Sequence, residues 1–141
     1  MDGNRKGVAM AKLFLVLLLA LACNSAMAEW VGIGRAKDGI GKFYANSSSV
    51  QRVGSKVKLW ALTDFSKTQK TPNGLKSYRS YKLRLEIDCK QSEIRNLGFI
   101  VYTENMGKGE IVLSSERAFE SEPIQKSSIL EVMSEYACKK K

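Results

Sequence analysis

The run 80-SYKLRLEIDCK-90 alternates apolar and charged side chains, and this alternation limits the possible folds more than any other feature of the chain. In an extended strand Tyr81, Leu83, Leu85 and Ile87 share one face, while Lys82, Arg84, Glu86 and Asp88 share the other. That is the period-2 pattern of a half-buried antiparallel sheet. Cys89 falls in step with the apolar side, so its partner should lie on whatever covers that side.

The start of the chain decides which chemistry Cys89 meets. Arg5, Lys6 and Lys12 precede an apolar run from Leu13 to Ala22, and Ala26-Met27-Ala28 forms a small-x-small cleavage signal before Glu29. Residues 1–28 therefore read as a secretory signal peptide, and residues 29–141 as one exported domain. Met10 is a second candidate initiator, because a signal of ordinary length begins there. The apolar run is shorter than the roughly 20 residues a membrane span needs, and no second run of that length follows. Cleavage between Ala28 and Glu29 leaves Cys89 and Cys138 as an even pair in an oxidising setting, where a single disulfide is the expected use.

Cys138 ends the segment 127-SSILEVMSEYACKKK-141. Ser128 and Glu131 have capping-box spacing, and Ile129, Val132, Met133, Tyr136 and Ala137 follow at the spacing of one apolar stripe on an amphipathic helix. Such a helix has to lie on an apolar surface, and a sheet face ending in Cys89 supplies one. The expected arrangement is a C-terminal helix tethered to the sheet by Cys89–Cys138.

Between the signal and this helix the chain reads as β throughout. Trp30–Arg35 and Lys42–Ala45 flank the hairpin signal Asp38-Gly39. Asn46-Ser-Ser-Ser49 and Val53-Gly54-Ser55 are breaks, and Val57–Phe65 is a longer strand. Lys67–Lys76, with Pro72-Asn73-Gly74, reads as a polar loop before the opening strand. Gly98–Thr103 and Ile111–Ser114 make a further pair around Asn105-Met-Gly-Lys-Gly109. The predicted fold is α+β, about six antiparallel strands with one C-terminal helix packed on them.

An ordered set of short motifs carries a family resemblance. The Trp30-Val-Gly start, Val57–Phe65, Ser77-Tyr-Arg-Ser-Tyr81, Glu86-Ile-Asp-Cys-Lys90, Arg95, Tyr102, Met106-Gly-Lys-Gly109 and Tyr136-Ala-Cys138 together resemble the surface-adhesin protein E family of small exported Gram-negative proteins. The resemblance spans Trp30 to Cys138. It implies an antiparallel sheet with a disulfide-held C-terminal helix, and a role in the periplasm or at the outer membrane and cell surface. The family's namesake is an outer-membrane lipoprotein adhesin that engages host matrix proteins and plasminogen. A lipoprotein needs a cysteine directly after its apolar run; Ala20-Leu-Ala-Cys23 offers one, with Ala20 where Leu is usual. Lipidation at Cys23 is thus the alternative to cleavage before Glu29, and the protein is expected at a membrane only if lipidated.

The residue inventory argues against catalysis. There is no histidine, hence no Ser-His or Cys-His pair and no His-rich zinc site, and both cysteines of the domain are committed to the disulfide. Glu86 and Asp88 alternate with Lys82 and Arg84 as a neutralised charge ladder on the solvent face. No enzyme, cofactor or metal site is expected. Met106-Gly-Lys-Gly109 fits hairpin-turn chemistry, and Gly32 and Gly34 mark a bend or bulge in the first strand.

Charge is the suggestive property. The formal +9 falls by two when Arg5, Lys6, Lys12 and Asp2 leave with the signal, and the remaining excess favours acidic partners. Lysines cluster at Lys67, Lys70 and Lys76 and at Lys139, Lys140 and Lys141, the candidate partner-binding residues. The expected function is an exported, non-enzymatic, adhesin-like binding protein engaging a host or envelope macromolecule, not nucleic acid. The alternative is a periplasmic structural or accessory protein that binds another bacterial protein, or its own copy as a homodimer, at a sheet edge.

Overall fold

In the computed structural model, which describes residues 7–10 and 29–139, the stretch from residue 29 onward forms eight antiparallel strands, two single 3-10 turns and a C-terminal α-helix. The strands and the α-helix are β1 (Trp30–Arg35), β2 (Gly41–Asn46), β3 (Gln51–Val53), β4 (Lys56–Lys70), β5 (Ser77–Asp88), β6 (Glu93–Tyr102), β7 (Ile111–Ser115), β8 (Glu122–Pro123) and α1 (Ile129–Lys139). Candidate positions Cys23, Ala28, Lys140 and Lys141, and with them the signal-peptide reading, lie outside the described residues.

Six strands make the main path, β1-β2-β4-β5-β6-β7, as the sequence pattern predicts. The two additional strands, β3 on β4 and β8 on β6, are three and two residues long, too short to show a period. At one end, Asp38-Gly39 turns β1 into β2: Asp38 Oδ1 accepts the Ile40 N–H at 2.9 Å, and Gly39 has φ +72°. The register of β1 on β2 shifts between Gly32 and Gly34, which is the bulge those glycines suggest.

Strand β4 corrects one expectation. It continues past Phe65 to Lys70, so the first part of the predicted Lys67–Lys76 loop is an extended arm, closed by a turn at Thr71–Lys76. Pairing with β5 jumps from Asp64↔Ser80 to Gln69↔Tyr78. The residues between are held from the side instead: Arg79 Nη2 donates to the Ser66 carbonyl at 2.7 Å, and the Ser66 N–H donates to Ile40 at 2.9 Å. Polar sequence stays extended here through these hydrogen bonds and the Gln69–Tyr78 and Lys70–Ser77 pairs, without an apolar face to bury.

One face of the sheet carries the core. Ala45, Val57, Leu59, Ala61, Leu85, Ile87 and Ile94 are buried beneath Met133 and Ala137 of α1. The helix is rotated from the predicted stripe: Leu130, Met133, Tyr136, Ala137 and Cys138 pack inward, so Met133, Tyr136 and Ala137 of the stripe keep their place, while Val132 stays 39% exposed. The tether explains the rotation. Cys138 has to face Cys89, and Leu130 lies eight residues before it, on the same helical face. Cys89 and Cys138 are joined, with Cα atoms 5.8 Å apart across 49 residues of sequence.

Both helix ends are satisfied. Ser128 Oγ accepts the Glu131 N–H at 3.2 Å, and Glu131 Oε2 accepts the Ser127 N–H at 2.7 Å, a capping box displaced by one residue at its return bond. At the other end the Arg52 guanidinium donates to the Ala137 carbonyl, placing a cation at the negative end of the helix dipole.

Closing a loop of this length restricts the unfolded chain by up to about 4 kcal/mol. The double variant Cys89→Ser/Cys138→Ser, or reductant alone, should lower the urea midpoint of unfolding correspondingly. An unchanged midpoint would mean that helix packing holds the fold without the bridge.

Candidate functional site

A single helix can cover only one side of a sheet, so the opposite face is left to its own side chains and one loop. By alternation that face carries Trp60, Leu62 and Asp64 of β4, and Ser80, Lys82, Arg84 and Glu86 of β5. The loop joining β6 to β7 folds back over part of it. Asp64 Oδ1 accepts from Met106 N–H at 2.7 Å and from Asn105 Nδ2 at 3.0 Å. Asn105 Nδ2 also donates to the Phe65 carbonyl at 2.8 Å, and Gly107 N–H donates to Ser80 Oγ at 2.9 Å. Ser80 Oγ donates in turn to the Glu104 carbonyl at 2.5 Å. Leu62 and Ser80 are fully buried under this cover, a second small core on the side away from the helix.

Lys82 lies in the same place. Its Nζ sits 5.0 Å from the ring centroid of Tyr102 and 5.7 Å from that of Trp30. Gly107 lies so close over the lysine stem that a Cβ there would come within 2.3 Å of Lys82 Cε, and Gly107 has φ +68°. Two aromatic faces stand where a carboxylate would be expected, and burial pulls the ammonium's pKa below the ordinary lysine value. The ladder expectation is corrected at this position: Lys82 is half-buried and has no ion-pair partner among the described residues.

Glu86 corrects it again. Its side chain is 9% exposed and its partners come from neighbouring strands: Arg95 Nη2 at 2.7 Å, with Lys56 Nζ and Lys58 Nζ each at 3.6 Å. Burial alone would raise its pKa, but Arg95 and the two lysines outweigh it and hold the carboxyl below the usual value. Arg84, exposed between Lys82 and Glu86, has no carboxylate partner among the described residues. It sits directly across from Trp60, and together with Ser49, Gln51 and Lys58 they line a shallow cleft of about 230 Å³.

The lysines proposed from sequence are not gathered into one site. Lys67 and Lys70 stand on the arm, and Lys76 at its base donates to the Val112 carbonyl at 3.3 Å. Lys139 ends the helix, paired with Glu135 at 3.5 Å. These groups lie at opposite ends of β4, because the disulfide fixes the helix end beside the start of that strand. The cations that do come together, Lys58, Lys82, Arg84 and Arg95, are not among the candidate binding residues of the sequence, in which Lys82 and Arg84 read as part of a neutralised ladder; the signal that could have found them was Trp60 at the same alternation phase as Lys58. Among the described residues no group of acidic and cysteine side chains could hold a metal ion, and no helix is long and apolar enough to cross a membrane.

The Glu86 cluster makes stability pH-dependent. Because its folded pKa is depressed, the contribution is complete above the unfolded carboxyl value near 4.3 and is lost as pH falls through the folded value. Urea midpoints between pH 7 and pH 3 should fall for the wild type and fall less for Glu86→Gln, which starts lower; parallel curves would remove Glu86 from the acid response.

The domain's likenesses agree with this architecture. The family model described as Surface-adhesin protein E matches residues 30–139. Among solved structures, Haemophilus influenzae protein E is similar at 16% identity and TM-score 0.58, over 76% of this chain and 83% of that one. A second crystal form of the same protein gives TM-score 0.60 at 16% identity, over 76% and 86%. Protein E from non-typeable Haemophilus influenzae gives 0.55 at 15% identity, over 82% and 78%. No curated protein matches the chain. At these identities the structures speak for the fold, and the family match over nearly the whole described domain speaks for kinship: the chain belongs to the surface-adhesin protein E family.

Proposed function

We propose that the protein is an exported, non-enzymatic adhesin whose open sheet face engages a macromolecule outside the cell. The observation that carries this reading is the pairing of family membership with a face on which Lys82 and Arg84 have no acidic partner among the described residues. A charge left uncompensated on a rigid, disulfide-tethered sheet attracts acidic partners and costs little to order on binding. Host matrix proteins are the partners to try first.

Protease shaving of intact cells, followed by binding of the purified protein to immobilised matrix proteins, tests the proposal. The adhesin reading expects removal by protease from intact cells and saturable binding. A chain starting at Glu29 that is protected from protease and binds no matrix protein favours the accessory reading instead. That second reading draws on β7, an edge strand with Ile111 60% and Leu113 50% exposed.

The C-terminal lysines carry a narrower proposal. A lysine-binding kringle reads an exposed ammonium accompanied by a carboxylate, and Lys139 lies exposed at the end of α1 beside Glu135. Deleting Lys139, Lys140 and Lys141 should abolish any capture of plasminogen; capture by the truncated chain would exclude the tail as its site.

A further inference from the structure

We infer that the cleft at Trp60 and Arg84 is a binding site for sulfated polysaccharide of the host type, the sugar stacking on the indole and the sulfate held by the guanidinium. The inference rests on the adhesin reading and adds to it a ligand class and a place.

Four features argue for that ligand. Trp60 is partly exposed at the cleft, and a pyranose ring presents an apolar C–H face that packs on an aromatic surface of this kind. Arg84 stands opposite Trp60 in the β4–β5 register, is exposed and has no carboxylate partner among the described residues, so its planar fork can take a bidentate anion. Lys58 and Gln51 complete the wall, with Lys58 steadied at 3.6 Å by the buried Glu86. Lys82, two residues along β5 from Arg84, stands about 7 Å further along the same face and supplies a second cation for a chain that continues past the cleft.

The geometry disfavours the other acidic polymers. A single nucleic-acid strand needs successive aromatic platforms, but the Trp30 and Tyr102 rings already face Lys82 and the Tyr44 ring lies over Gly32, so Trp60 is the one aromatic ring lining the cleft. A protein partner needs a broad contact patch, whereas a concavity of about 230 Å³ suits a group the size of one sugar ring.

Heparin is the probe, titrated against the purified processed protein beside dextran, single-stranded DNA and lipopolysaccharide. Because Trp30 and Trp60 are the two tryptophans of the chain, Trp30→Phe makes Trp60 the sole indole reporter. Heparin should change its fluorescence saturably, neutral dextran should not, and added salt should weaken binding. Arg84→Ala and Trp60→Ala should each weaken heparin about tenfold, the scale of one lost charge-assisted contact, with Arg84→Lys recovering part of the loss. Replacing Lys67, Lys70 and Lys76 together should have little effect.

Heparin affinity that is unchanged in Arg84→Ala overturns the inference, and this variant is exposed enough to leave the fold intact. So does equal or tighter binding of DNA at the same residues, or of lipopolysaccharide, which would place the ligand in the bacterium's own envelope. If Arg84→Ala abolishes nothing but matrix binding persists, the polysaccharide site fails and the adhesin reading stands. If neither heparin nor any matrix protein binds, both fail.

Discussion

The tether between Cys89 and Cys138 fixes more than the position of one helix. It sets the rotation of α1, and the rotation decides that Leu130, Met133 and Ala137 cover Val57, Leu59, Leu85 and Ile87. An eleven-residue helix is marginal by itself and owes its stability to the face it buries, so bridge, stripe and sheet depend on one another. Arg52 adds to this from the opposite direction, because β3 exists to hold its guanidinium at the end of the helix that the bridge has docked.

Covering one face leaves the other exposed, and the chain solves that problem with polar chemistry rather than a second helix. The loop between β6 and β7 seals only the region above Leu62 and Ser80. It is pinned there by Asp64, a carboxylate spent on backbone N–H groups and therefore unavailable to Lys82. Glu86 is likewise committed to Arg95, Lys56 and Lys58. The uncompensated cations on this face follow directly: the acids nearest to Lys82 and Arg84 are engaged elsewhere, one with a loop and the other with three neighbours.

Much of the fold was legible in local pattern. The alternation of Tyr81–Ile87 sets the sheet and its two faces, Asp38-Gly39 sets the first hairpin, and Ser128 with Glu131 sets the helix start. The pairing of Cys89 with Cys138 needed only export and parity. What escaped was non-local. The arm beyond Phe65 has no buried face and so no period, and the partners of Glu86 come from β4 and β6, whose register no single strand announces. Lys82 shows the limit most clearly, because its surroundings come from β1, β6 and the following loop. Neighbours in sequence suggested a salt-bridged ladder, whereas neighbours in space are two aromatic rings.

An open sheet with one bare face also risks pairing through its edges, and here the edges are managed in different ways. On β1 the bulge between Gly32 and Gly34 interrupts the row of backbone groups a partner strand would need. On β7 the strand is only five residues long, and Lys76 reaches from the arm to the Val112 carbonyl. That lysine, a candidate binding residue by sequence, is thereby an edge guard by geometry. Like charge on the open face disfavours face-to-face approach of two copies, and pairing along β7 is opposed only by its shortness and by the lysine at Val112.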